Sequence, residues 1–219
     1  MGKYSDYGKV VIGQEIFVGQ NCVLGCPKEE TIKRFWPDEK KLLQAISPVR
    51  IGDRSVLCNF VCVYEGTEIG PDCLLEDYVH IGYGSKIGQN VRIMYRSYIC
   101  DRVTIGNYSR IAGFICDGSE IGEYSTVMGN LVHEYTQPHI DWWKAEESPP
   151  KIGSNSVVGL GATVVGGIEI GSHCYIAAGA IVTKSVPPKH VVLGVNRRIP
   201  LHKWKGKKLR RLIELWMET

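Results

Sequence analysis

Aliphatic residues occupy every sixth position from Ile51 to Ile111 without a miss: Ile51, Leu57, Val63, Ile69, Leu75, Ile81, Ile87, Ile93, Ile99, Ile105 and Ile111. The same spacing runs through Ile12, Val18 and Leu24, resumes after a slip at Ile121 and Val127, and returns from Ile152 through Val158, Val164, Ile170 and Ile176 to Val182. Four residues after many of these comes a small or modestly apolar residue, such as Cys22, Ser55, Cys73, Ser85, Ser109, Ala162, Cys174 or Ala180. A period of six smears around a helix but stays on one face of a strand. Gly directly follows the aliphatic residue in pairs such as Ile51-Gly52, Ile69-Gly70 and Ile105-Gly106. Gly permits a sharp bend with unusual backbone angles. Short strands alternating with bends predict a parallel β-helix. With three hexads per triangular coil, the chain's hexads make roughly seven coils.

A solenoid extrudes surplus residues as loops, so interruptions of the period mark candidate sites. Three stand out. The first, about residues 26–49, predicts a short helix from Asp38-Glu39-Lys40-Lys41 with Asp38 as N-cap. Phe35 and Trp36 give it aromatic surface, suited equally to a pocket wall and to a packing segment. The second lies between Ile111 and Ile121, where ten residues separate register points and a four-residue insertion near Phe114–Gly118 is expected. The third, residues 129–150, collects His133, Glu134, Tyr135, His139, Trp142 and Trp143. Exposed loops do not ordinarily gather Trp without a partner surface or ligand.

Composition narrows the classes. The chain has 219 residues and a net charge of +3, enough for one domain. No apolar run reaches the ~20 residues of a membrane span, and Met1-Gly2-Lys3-Tyr4-Ser5-Asp6 has neither a signal core nor a myristoylation motif. A cytoplasmic protein is expected. The eight cysteines include no Cys-x-x-Cys pair. Cys22, Cys73 and Cys174 fall on the small inward position, where a thiol acts as a small hydrophobe. Residues 202–219 carry six Lys and Arg against Glu214 and Glu218. Leu209, Leu212, Ile213 and Trp216 sit there at helical spacing, so residues 201–219 are expected to form a basic amphipathic helix after a domain of residues 1–200. The body of the chain offers nothing to a nucleic acid.

The tandem units resemble the hexapeptide-repeat family, which implies an all-β, left-handed parallel β-helix. The run His133-Glu134-Tyr135-Thr136-Gln137-Pro138, followed after a spacer by Pro150-Lys151-Ile152-Gly153, is similar to the active-site loop of the family's sugar O- and N-acetyltransferases. The resemblance implies acetyl transfer from acetyl-CoA to a sugar or sugar nucleotide. His133 is then the general base, with Glu134 beside it, because an imidazole titrates near working pH. An alternative alignment puts Asn130 on the catalytic position, and in some relatives the CoA sulfur takes the proton. Tyr135, His139, Trp142 and Trp143 are acceptor-binding candidates.

Val158-Gly159-Leu160-Gly161-Ala162-Thr163 and Ile176-Ala177-Ala178-Gly179-Ala180-Ile181-Val182-Thr183-Lys184 resemble the family's last coils. There Gly161, Ala162, Ala178 and Gly179 would meet the pantetheine, and Thr183, Lys184, Arg197 and Arg198 the nucleotide and phosphates. Where the family continues Gly-Asn-Pro-Ala-Lys, this chain reads Gly194-Val195-Asn196-Arg197-Arg198. The resemblance also implies a homotrimer with sites between subunits. Repeats beginning near residue 10 leave no N-terminal nucleotide-binding or helical domain to be expected. Two other readings share the fold: a zinc enzyme resembling γ-carbonic anhydrases, using His80, His133 and His139, and a non-catalytic trimeric scaffold. On the first, His80 must leave the strand ladder for a metal; on the favoured reading the protein binds none.

Overall fold

A computed structural model describes residues 5–7, 9–134 and 147–205. Three parallel sheets wrap one core. Sheet A has nine strands, from Ser5–Asp6 to Ile181–Val182, and sheet B has eight, from Val10–Ile12 to Glu169–Ile170. Sheet C has ten, from Phe17–Val18 to Tyr175–Ile176 and then His190–Leu193 and Arg197–Pro200. The chain visits A, B and C in turn, so each circuit is one coil. Registry is in phase: Ile81 lies over Val63 and under Ile99, and Ile87 lies between Ile69 and Ile105.

The expected aliphatic residues are the core, with Leu57, Val63, Leu75, Ile81, Ile93, Ile99 and Ile111 at 0 % exposure. The coil count corrects upward from seven to more than eight, because the period continues where the hexad pattern loses it. Ile115 and Leu131, both fully buried, are coil residues paired with each other. The second interruption is therefore not an insertion. The turn before Ile115 is two residues shorter than a full hexad, and so is the turn between Val127 and Leu131. Likewise the third excursion begins after Val132, because Asn130–Val132 is a strand of sheet A.

The inward small position has a polar logic of its own. Ser55, Ser85, Ser109, Ser125 and Ser156 are buried at 0 % exposure, yet each hydroxyl is satisfied twice. Ser85 Oγ donates to Cys100 O at 3.1 Å and accepts from Val103 N at 3.2 Å. Ser156 Oγ donates to Gly171 O at 3.0 Å and accepts from Cys174 N at 3.1 Å. A buried hydroxyl so paired replaces water at corner peptides that no strand reaches. Cys73 and Cys174 take the same place, their thiols donating to Gly88 O and Pro187 O.

The glycines following the aliphatic residues serve a purpose other than the one expected. Positive φ falls later in each turn, mostly on non-glycine residues such as Arg54, Asp72, Asn90 and Tyr108. Gly70 is instead demanded by stacking, since a Cβ there would lie 2.7 Å from the Gly88 carbonyl carbon.

Both long excursions leave from the corner between sheets A and B. The first carries two helices, α1 (Glu29–Phe35) and α2 (Glu39–Ala45). Asp38 caps α2 as expected, accepting from Lys41 N at 3.1 Å. Glu65, only 6 % exposed, fastens this segment to the coil by accepting from Lys28 N, Thr31 Oγ1 and Ser47 N. The second excursion closes where Ser148 O accepts from Gly167 N at 2.7 Å. Among the described residues no helix is long and apolar enough to cross a membrane. The expected basic helix lies mostly beyond the described residues; its start, Leu201–Lys203, is a 3-10 turn.

Candidate active site

Between the two excursions the A–B corner presents one residue per coil in the same place: Glu65, Tyr83, Asp101, Asp117 and then His133. The carboxylates grip the coils below them. Asp101 Oδ1 accepts from Tyr83 N at 3.0 Å, and Asp117 Oδ1 from Asp101 N at 2.9 Å. Because Ile115 pairs with Leu131, Asp117 sits one coil, ~4.8 Å, below His133. Above it Gly166 leaves room, since a Cβ there would meet His133 Cα at 3.2 Å and Ser148 O at 2.8 Å. The returning end of the excursion brings Glu147 to the ring. His133 Nδ1 and Glu147 Oε2 stand 3.9 Å apart, with side chains 14 % and 13 % exposed.

Burial, with the Asp117 charge adding to it, pushes Asp101 up to about 6. Native Asp101 therefore holds its proton more tightly than the unfolded chain does, and stability falls as pH rises from about 4 to about 6, then levels. Asp101→Asn keeps the acceptor for Tyr83 N and removes the titration. The variant is expected to be more stable than the parent at pH 7 by about 1 kcal/mol, solvent screening part of the repulsion at this part-exposed corner. The difference should vanish at pH 4, as urea midpoints across that range would reveal. Burial also pushes the neighbouring Cys116 thiol up to about 11, with Asp117 and Glu147 adding to the effect.

The residues expected to bind CoA divide between two corners. Gly161, Ala162, Ala178 and Gly179 line the corner between sheets C and A, and so does Asn130 at the start of its strand. Gly161 and Gly179 have φ of +67° and +69° and open space where a side chain would be. Thr183 and Lys184 lie across sheet A on the A–B corner, two coils above His133. Asn196 ties Thr183 down, accepting from its N–H and donating to its hydroxyl, both at 2.8 Å. Exposed Arg197 and Arg198 belong to the final antiparallel strand, and Arg198 Nη1 donates to Ser185 O at 2.9 Å. Asn130 and His133 are three residues apart along a strand, ~10 Å, so they serve opposite edges of sheet A. Asn130 Oδ1 accepts from Phe114 N at 3.3 Å. Glu134 is exposed, and Tyr135, His139, Trp142 and Trp143 lie outside the described residues.

Two features were missed in the sequence. Glu147 is remote from His133 along the chain, and only the closure of the excursion joins them. The outward face of sheet A carries a stacked column: Tyr64 against His80 at 5.0 Å, His80 on Tyr98 at 4.1 Å, Tyr98 on Phe114 at 5.8 Å. Its signal was the residue just before Ile81, Ile99 and Ile115, with Tyr64 joining from the position after Val63. His80 is thus a ladder residue, three coils below Asn130 and ~17 Å from His133, too far for the two to share a metal.

Comparison with known proteins bears on the fold that carries these residues. A model described as a bacterial transferase hexapeptide of six repeats matches residues 84–114, and one described as a hexapeptide repeat of succinyl-transferase matches residues 149–184. A bifunctional protein GlmU of Streptococcus uberis is 27 % identical over 159 residues, 68 % of this chain and 34 % of its own length. The chain therefore spans about a third of such curated relatives. Among solved structures, a UDP-N-acetylglucosamine O-acyltransferase from Moraxella catarrhalis superposes with a TM-score of 0.64 at 15 % identity, covering 96 % of this chain and 82 % of that one. The UDP-N-acetylglucosamine acyltransferase from Campylobacter jejuni gives 0.56 at 14 % identity, covering 97 % and 81 %. These likenesses carry the left-handed sense of the coil, as the family resemblance implies. Residues 84–114 and 149–184 thus match hexapeptide-repeat models, and the chain shares the left-handed β-helix fold of these solved structures.

Proposed function

We propose that this protein transfers an acyl group, acetyl in the simplest case, from its CoA thioester to a hydroxyl or amino group of a sugar or sugar nucleotide. One observation carries the reading: His133 faces Glu147 at 3.9 Å on the corner where the solenoid is interrupted. The His133 imidazole takes the proton of the acceptor group through one nitrogen while Glu147 holds the other, an arrangement that tightens when substrate binds. The acceptor oxygen or nitrogen attacks the thioester carbonyl, the carbon–sulfur bond breaks, and the imidazolium returns its proton to the departing CoA sulfur. Gly161 and Gly179, open at the C–A corner, suit close approach of a pantetheine arm. Since these glycines and His133 flank opposite edges of sheet A, a complete site takes its two halves from neighbouring subunits. A homotrimer in the cytoplasm fits that requirement.

The first test is binding. Acetyl-CoA at millimolar concentration should raise the melting temperature by about 5 °C or more, corresponding to ~2–3 kcal/mol at a hundredfold excess over Kd. Absence of any stabilisation would favour the non-catalytic scaffold.

A further inference from the structure

The aromatic column on sheet A stops at Phe114. In the next coil its place is taken by Asn130, whose side chain folds down so that Oδ1 accepts from Phe114 N. The coil after that offers only Thr163. Phe114 is 40 % exposed, and nothing aromatic stacks on its upper face among the described residues. Phe114 and Thr163 are two coils apart, ~9.6 Å, and a ring sandwiched at contact distance needs about 7 Å. One ring fits the gap.

The gap is also open sideways. The two shortened turns fall at its edge, Ala112-Gly113 in the Phe114 coil and Met128-Gly129 in the Asn130 coil. Full turns resume above, where Leu160 is 70 % exposed, and end below at Tyr95, 53 % exposed. The C–A corner is therefore notched along two coils, and the notch leads onto Phe114.

From this slot the strand runs ~10 Å to His133. That is longer than one sugar ring and is matched by two linked rings. Charge narrows the occupant further. At the His133 end the described charged side chains are Asp101, Asp117, Glu134 and Glu147, offset by Arg102, whose Nη2 is 4.0 Å from Asp117. Lys28 is farther off, over the Tyr83 ring and paired with Glu30. Among the described residues a diphosphate laid along this path would meet four carboxylates against Arg102, itself paired with Asp117, with Lys184 two coils above, which costs affinity. Sugar rings offer apolar C–H faces to an aromatic ring and hydroxyls to carboxylates.

We infer that the acceptor is an uncharged glycan of at least two sugar units, its outer ring stacked on Phe114 and its inner ring presenting the reacting group to His133. This deepens the acyl-transfer reading and rests on it. The experiment is calorimetric titration of the full-length, CoA-loaded protein with N,N′-diacetylchitobiose and lactose, against N-acetylglucosamine, galactose and UDP-N-acetylglucosamine. At least one disaccharide should bind tenfold or more tightly than its single ring and more tightly than the nucleotide sugar. Phe114→Ala should erase the tenfold advantage and Phe114→Tyr keep it. The inference is overturned if UDP-N-acetylglucosamine binds best, if neither disaccharide exceeds its monosaccharide, or if Phe114→Ala changes nothing. Disaccharide binding by a protein that acetyl-CoA does not stabilise would sink the acyl-transfer reading and leave the glycan slot standing.

Discussion

His133→Ala should lower kcat by 10²–10⁴-fold, the range over which a positioned general base contributes. Thermal stabilisation by acetyl-CoA should persist, because the open glycines of the C–A corner are untouched. Those two readouts separate a lost base from a lost fold. Glu147→Gln should cost less, about 10²-fold or under, because it loosens the orientation of the ring without removing it. Both effects should appear in kcat more than in KM, since the imidazole acts on the reacting proton and not on the body of the acceptor. If His133→Ala keeps kcat within a few-fold of the parent, the base is elsewhere, and Asn130 on the opposite edge becomes the residue to test.

Gly113→Ala should be the most damaging small change in the coil. Gly113 has φ +142°, a conformation closed to residues with a Cβ, and that Cβ would lie 2.2 Å from Gly129 O. The obstacle is backbone of the next coil, which cannot swing away as a side chain can. Backbone strain of this kind costs about 1–3 kcal/mol, and the forced shift of a stacked coil adds to it. We expect a total of about 3 kcal/mol or more, a fall in melting temperature of roughly 10 °C for a chain of this size. Gly161→Ala is the control: its φ is +67° but it has open space, so only the ~1 kcal/mol of left-handed backbone applies. Equal melting temperatures for the two variants would mean that the shortened turns are not packed as described.

The contrast between these glycines explains what the sequence yielded and where it stopped. Periodicity exposed the coil because identical inward positions repeat, and Ile51 to Ile111 needs no tertiary information to be read. It failed at Ile115 and Leu131 because a turn two residues short shifts the register without leaving a compositional trace. The missing signal was Gly113 and Gly129, sixteen residues apart and each two residues after an inward aliphatic one, which only stacking explains. His133 was legible as part of an odd segment, whereas Glu147 and the Asp101–Asp117 ladder were not, since their adjacency follows from coil closure. The aromatic column was written in the sequence at His80, Tyr98 and Phe114, one position before each inward residue. It went unread because a strand's outward residues carry no obligation to match.

The last described coil limits how copies of this chain could meet. A parallel solenoid ends in three rows of unpaired peptide groups, each able to template another chain. Here each row is answered. Val195 bridges to Ile181 on sheet A, Val186 to Ile170 on sheet B, and on sheet C the strand Arg197–Pro200 reverses direction against His190–Leu193. The reversal breaks the parallel lattice, so a second molecule cannot continue the stack and fibre growth along the axis is blocked at this end. Any association of copies through the described coils would then fall to the flanks of the prism, where both halves of the proposed catalytic centre reside.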